Sequence, residues 1–266
     1  MQMSIPDLKA IHEYLGNCPW TVQVFEEVTS TNTLLKELGR QGAPAGTVLV
    51  ADRQTGGRGR LGRTFLSPGG VGVYLSALIR PDCAPTELMH LTCAVAVAMC
   101  DAVENAFGFR PGIKWTNDLV FERKKLGGIL TELSVDPLSR KVKWAIVGIG
   151  INCCQRAADF PEEIRDMACS LEMDWQDTPP LFATLIRQLW QMRCDLFAGK
   201  AEIMGAFTRQ CVTIGQDISI LRGDEVRHGR ALDVDEDGGL VVQFDDGVIG
   251  TVASGEVSIR GMYGYL

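Results

Sequence analysis

Histidine is scarce in this chain of 266 residues: there are three, at positions 12, 90 and 228. None is spaced as H-x-x-x-H, and none of the nine cysteines falls in a C-x-x-C pair, so the usual zinc frames are missing. The G-x-S-x-G and protein-kinase signatures are missing too, which removes the nucleophile-elbow hydrolases and the kinases. An odd number of scattered cysteines, with Cys153–Cys154 the one adjacent pair, predicts reduced, mostly buried thiols and a reducing compartment. Long apolar runs are lacking as well. "LTCAVAVAMC" (91–100) is short for a bilayer and runs into Asp101 and Glu104, and "MQMSIPDLKAIHEYL" has no secretory-leader pattern. Positive charge is in deficit: the net charge of −7 argues against a general nucleic-acid or membrane binder. The expectation is a cytoplasmic protein with neither kind of partner.

What charge there is lies unevenly. From Arg53 through Pro81 there are five arginines (53, 58, 60, 63 and 80) and no carboxylate, which marks a local anion site. At the centre stands "QTGGRGRLGRTF" (54–65). Its Gly57, Gly59 and Gly62 spell G-x-G-x-x-G, a fingerprint that needs a strand before it and a helix after it. "GTVLVA" (46–51) reads as the strand, but "TFLSPGGVGVYLSALI", with Pro68 and several glycines, cannot open a helix. A dinucleotide site is therefore disfavoured.

Periodicity predicts a helix over 6–16, a strand over 21–28, and a helix after Ser30 and Thr31, which sit where an N-cap belongs. A strand at about 71–79 and one long helix from about Thr86 to Phe107 follow. Three β-like runs come next, at 112–121 (a hairpin), 125–135 and 143–153. Residues 160–170 read as irregular with a short helix, and 178–208 carry helical spacing through Leu181, Leu185, Leu189, Met192 and Leu196. From Cys211 onward, five short strands separated by turn clusters suggest a small barrel or sandwich, with a domain boundary near residue 210. Two units are expected, 1–210 and 211–266.

Several groups could carry chemistry. Glycine lets backbone N–H groups approach an anion, and the arginine fork binds phosphate or carboxylate through charge-assisted bonds. In "KWTNDLVF", Lys114 and Asp118 are four apart; Asn117 suits a turn, Trp115 suits a core, and Asp118 could take a magnesium ion. "RKKLGGIL" delivers Lys125 beside Gly127 and Gly128, either as solvated charge or aimed at a phosphate. Asn152, closing "VGIGIN", fits an adenine reader and a satisfied core amide equally. Ser30 is better explained as a helix cap than as a nucleophile, although a cap can also face a ligand.

Taken in order, "TSTN" (29–32), Q-x-x-G-R-G-R-x-G-R (54–63), KW-x-ND (114–118), "KLGGIL" (125–130) and "GIGIN" (148–152) resemble the biotin protein ligases, and the likeness runs on through the β-rich C-terminal region. The resemblance implies an α+β fold: a mixed, largely antiparallel sheet flanked by helices, as in class II aminoacyl-tRNA synthetases, plus an SH3-like C-terminal barrel. It implies ATP-dependent formation of biotinyl-adenylate and transfer to a lysine on the biotin carrier domain of a carboxylase, with biotin and ATP as substrates and magnesium as cofactor. By motif position, Ser30, Thr31, Asn32, Gln54, Gly57, Arg58, Gly59, Gly127 and Gly128 would hold biotin. Arg60, Arg63, Phe65, Asp118, Lys125 and Asn152 would hold the nucleotide, with Arg60 and Lys125 catalytic and Asp118 on the metal.

Two positions depart from the family pattern: Thr116 stands where proline is usual, and Phe65 where tryptophan is common. Some relatives add an N-terminal DNA-binding module. About twenty residues precede the first strand here, so no operator binding is expected. The chain would be a monomer or a homodimer. Lipoate or octanoate transfer, which shares the fold, and a sensor that only binds biotin are the alternatives; a cyclic urea needs the polar partners that Gln54 and the arginine loop offer.

Overall fold

In the computed structural model, which describes residues 7–253 and 258–261, strands β1 (Thr21–Val28) and β2 (Thr47–Gln54) run parallel. All other pairings in their sheet are antiparallel: β3 (Gly72–Ile79), β4 (Gly112–Lys114), β5 (Asp118–Phe121), β6 (Lys124–Val135) and β7 (Val142–Asn152) complete the order β1-β2-β3-β7-β6-β5-β4. The central strands read as unbroken apolar runs because both faces of the sheet are covered. Leu49, Leu78, Trp144 and Ile146 meet Leu35 of helix α2 (Thr31–Arg40) on one face. Val48, Val50, Leu75 and Ile79 face the larger core on the other side. Each such side chain, fully buried, contributes roughly 1.5–3 kcal/mol.

That larger core is built on α1 (Leu8–Leu15), α3 (Leu91–Phe107), α4 (Thr178–Asp195) and α5 (Lys200–Gln210). Asp7 caps α1 by accepting from the N–H groups of Lys9 and Ala10, and Gly108, in the left-handed region at φ 73°, ends α3. The segment Pro85–Phe107 is long and apolar enough to cross a membrane, but most of it is buried inside this core, against α4, α5 and β6.

Two expectations need correction and one gains detail. The helix expected over 86–107 is a 3-10 turn at Pro85–Leu88 and then α3 from Leu91, with the break at Met89–His90. The helical stretch expected over 178–208 is two helices, α4 and α5. Residues 160–170 form turns and a β-bridge between Lys125 and Ala168, with no helix.

The C-terminal region forms a second sheet of five antiparallel strands, β8 (Asp217–Arg222), β9 (Glu225–Val234), β10 (Leu240–Phe244), β11 (Ile249–Val252) and β12 (Ser258–Gly261), in the order β11-β10-β9-β8-β12. It is fastened to the first sheet beside Trp115. The Trp115 backbone N–H donates to Thr213 Oγ1 at 2.9 Å, and its indole Nε1–H donates to the Gly238 carbonyl at 2.8 Å. Gly238, at φ 86°, is the residue this approach needs, since a Cβ there would lie 2.8 Å from Cys93 Sγ. Lys200 and Asp237 add an ion pair at 2.7 Å beside it.

Candidate active site

A cavity of about 480 Å³ opens where the N-terminus of α2, the loop between β2 and β3, and the strands β5, β6 and β7 converge. The loop joins two neighbouring strands of the sheet, and its tip turns back on itself: Gly59 N–H donates to the Arg63 carbonyl at 2.7 Å, and Phe65 N–H to the Gly57 carbonyl at 3.0 Å. A Cβ on Gly57 would sit 2.3 Å from the Phe65 carbonyl oxygen, so the crossing requires glycine. This is why the loop's glycines mimic a dinucleotide fingerprint without a helix to follow.

One wall is polar. Ser30 caps α2, its hydroxyl accepting from Thr33 N–H at 3.5 Å, and it lines the cavity together with Thr31, Asn32 and Gln54. Gln54 Oε1 accepts from Thr31 N–H at 2.9 Å, while its Nε2 donates to Ser67 Oγ at 2.9 Å, which fixes the amide's orientation. Ser76 Oγ lies 2.7 Å from Thr31 Oγ1 and 2.6 Å from Asn32 Oδ1. Asn32 can reach this place because position 148 on β7 is glycine: a Cβ there would lie 2.1 Å from Asn32 Oδ1.

The other wall is charged. Arg60 Nη1 donates to Asn117 Oδ1 at 3.0 Å, and Lys125 Nζ to Asp118 Oδ1 at 2.6 Å. Burial pulls the Arg60 guanidinium below its ordinary pKa; the nearby Asp118 charge opposes that fall and Arg63 adds to it. Arginine stays ionised under any such pull. Phe65 meets Tyr74 edge-on, with ring centroids 6.3 Å apart, and lies over Gly150 of β7, where a Cβ would come within 2.5 Å of its ring. The departure from tryptophan thus keeps an aromatic surface at the cavity. Thr116, the other departure, is buried in a cis peptide with Trp115, its hydroxyl 3.6 Å from Cys93 Sγ. Arg60, Arg63, Lys125 and Asp118 come from segments far apart in sequence, and together they form a surface suited to a polyanion with one carboxylate beside it.

Of the expected site residues, Ser30, Thr31, Asn32, Gln54, Arg58, Gly59, Arg60, Arg63, Phe65, Asp118, Lys125 and Gly128 line this cavity. Three do not stand at its surface. Gly57 is consumed by the loop crossing, and Gly127 by β7, where a Cβ would lie 2.6 Å from the Gly150 carbonyl oxygen. The third is Asn152. Its Nδ2 donates to the Cys169 carbonyl at 3.0 Å and its Oδ1 accepts from Gln155 Nε2 at 3.4 Å, one bond at each end of the amide.

Sequence reading missed Glu132 on β6. Its Oε1 accepts from Lys36 Nζ at 2.7 Å and lies 3.6 Å from Arg58 Nη1, and its Oε2 accepts from Asn32 Nδ2 at 3.0 Å. Burial pushes this carboxyl up, but the hydrogen bonds from Lys36 and Asn32 and the charges of Lys36 and Arg58 outweigh it and leave the pKa lowered.

Comparison with known proteins points the same way as this geometry. Residues 24–152 match the Biotin/lipoate A/B protein ligase family, and residues 213–260 match the Biotin protein ligase C terminal domain. The bifunctional ligase/repressor BirA of Bacillus subtilis is 33% identical over 225 residues, covering 83% of this chain and 69% of its own length. The biotin--[acetyl-CoA-carboxylase] ligase of Mycobacterium tuberculosis is 28% identical over 246 residues, 89% of this chain and 88% of its own. Among solved structures, biotin protein ligase from Aquifex aeolicus in complex with biotin and ATP aligns with a TM-score of 0.75 at 33% identity, over 91% of this chain and 99% of that one. The chain belongs to the biotin/lipoate A/B protein ligase family, joined to the C-terminal domain of biotin protein ligases, and is an enzyme of the ligase class.

Proposed function

We propose that the chain is an ATP-dependent biotin protein ligase that forms biotinyl-5'-AMP and passes the biotinyl group to a lysine on the biotin carrier domain of a carboxylase. The observation that carries this reading is one cavity with a hydrogen-bonding wall (Thr31, Asn32, Gln54) and a cationic wall (Arg60, Arg63, Lys125). Thr31 and Gln54 supply the polar partners a cyclic urea needs, and Arg58 reaches the same end. A dithiolane offers no hydrogen bonds to this polar wall while still removing it from water, which disfavours lipoate.

In the first step the biotin carboxylate attacks the α-phosphorus of ATP, and pyrophosphate leaves. This calls for alignment and charge neutralisation more than for a general base. Arg60 and Arg63 hold the phosphates, with Asn117 fixing the Arg60 fork. Lys125 faces the charge that develops between the acyl and phosphoryl oxygens. In the second step the lysine amine of the carrier attacks the acyl carbon, AMP leaves, and the amine loses a proton to solvent. Phe65 offers its face to the adenine.

Among the described residues no group of three potential metal-binding side chains occurs. Asp118, a single carboxylate beside the phosphate-binding cations, would hold magnesium that arrives on the nucleotide, and the ion would neutralise phosphate charge there. Nine free cysteines support a cytoplasmic, reducing setting. The net charge of −7 supports the absence of operator binding, and the chain would act as a monomer or a homodimer.

The test is transfer. Biotin, ATP and magnesium with an isolated biotin carrier domain should give ATP-dependent biotinylation of its acceptor lysine, and a carrier with that lysine changed to arginine should give none. Transfer of lipoate in place of biotin would contradict the reading.

A further inference from the structure

Glu132 stands outside the cavity yet governs the polarity of its wall. Asn32 Nδ2 lies 3.0 Å from Glu132 Oε2 and 3.2 Å from the Leu130 carbonyl oxygen. Both neighbours can only accept, so the amide cannot turn over without setting Oδ1 against two oxygens. Its Oδ1 is thereby held 2.6 Å from Ser76 Oγ, a fully buried hydroxyl with a single proton. Because an amide oxygen only accepts, that proton belongs to Asn32. The 2.7 Å contact between Ser76 Oγ and Thr31 Oγ1 then uses the Thr31 proton. Gln54 Oε1, 3.2 Å from the same hydroxyl, is already served by the Thr31 N–H at 2.9 Å. Thr31, a residue of the cavity wall, is left with lone pairs on Oγ1 to offer and no proton to give.

We propose that Glu132 is a positioning residue which, through Asn32 and Ser76, fixes the Thr31 hydroxyl as a hydrogen-bond acceptor, so that the cavity selects a ligand ring carrying N–H at that point. This rests on the reading of the ligand as biotin, whose cyclic urea carries such N–H groups. The charged groups facing Glu132 are Lys36 from α2 and Arg58 from the loop. They keep it ionised, and so keep the relay pointing one way.

The experiment measures dissociation constants by titration calorimetry for biotin and for lactam isosteres in which one or the other ureido N–H is replaced by CH2. The wild-type chain should disfavour one isostere by about tenfold, the worth of one hydrogen bond. In Glu132→Gln the new amide can present either end to Asn32, which leaves the Leu130 carbonyl alone to oppose reversal of the relay. Biotin binding should weaken by about that factor, binding of the disfavoured isostere should not change, and KM for ATP should stay put. Equal weakening of all three ligands, or unchanged discrimination, overturns the relay.

Lys36→Met, at a partly exposed helix position, provides a second measurement should Glu132→Gln not fold. Without that cation Glu132 protonates at higher pH, so on acidification biotin binding by Lys36→Met should weaken at a higher pH than in the wild type. Coincident pH profiles overturn the relay. Absence of biotin binding by the wild-type chain would strike down the ligand reading itself, and the relay's ligand with it.

Discussion

Lys125 Nζ lies 2.6 Å from Asp118 Oδ1 across the β5–β6 hairpin, with both side chains partly buried in the cavity wall. On the proposed function, Asp118 holds the compact charge of Lys125 where acyl and phosphoryl oxygens would gain negative charge. Lys125→Gln should therefore lower kcat/KM for adenylate formation by about 10²–10³, roughly 3–4 kcal/mol. Biotin binding should be unchanged, since the polar wall is separate. Single-turnover adenylation and equilibrium biotin binding check this, and equal losses in both would contradict it.

Arg60 is held differently, by Asn117 Oδ1 at 3.0 Å, and it stands on the loop that closes one side of the cavity. Arg60→Gly should weaken retention of the adenylate more than it weakens biotin binding. The readout is the rate at which pre-formed biotinyl-adenylate leaves the protein. Unchanged release would exclude this role.

The C-terminal sheet touches the site through Trp115, whose indole donates to Gly238. Trp115→Phe keeps an aromatic ring but leaves that buried carbonyl without its donor, at a cost of about 1–3 kcal/mol. For a chain of this size the melting temperature should fall by roughly 2–4 °C per kcal/mol, read by thermal denaturation. An unchanged melting temperature would show that the bond contributes nothing net.

His90 is fully buried at the start of α3, with Nε2 2.7 Å from the Leu196 carbonyl and Nδ1 without a partner. That geometry fits the neutral ring with its proton on Nε2. Burial lowers its pKa, with the bond to Leu196 opposing. A histidine depressed in the folded state contributes stability above its unfolded value of 6.5, and loses it as pH falls from there toward the folded value. Denaturant midpoints should fall between about pH 7 and pH 5.5, and His90→Gln should flatten that slope. An equal slope in the variant would remove His90 as the cause.

Much of this was legible from local pattern. β1 runs over Thr21–Val28, the span its alternation marks, and the hairpin over 112–121 follows from the turn at Thr116–Asn117. The break at Met89–His90 was not legible, because apolar residues continue on both sides of it and only the docking of His90 onto Leu196 separates the two pieces. The cationic wall was visible because arginines and glycines crowd one short segment. Glu132 was invisible, since its partners Lys36 and Asn32 stand 96 and 100 positions away and a lone glutamate on a strand reads as a solvent-facing residue. Asn152 was visible by type alone, but its bonds to Cys169 and Gln155 were not, because they join the end of β7 to irregular segments beyond it.

The most direct measurement is pyrophosphate release from ATP with biotin, lipoate or octanoate supplied separately, before any carrier is added. The expected result is release that depends on biotin alone and falls in Lys125→Gln. Release with lipoate or octanoate but not biotin, or tight biotin binding with no release, would contradict the account.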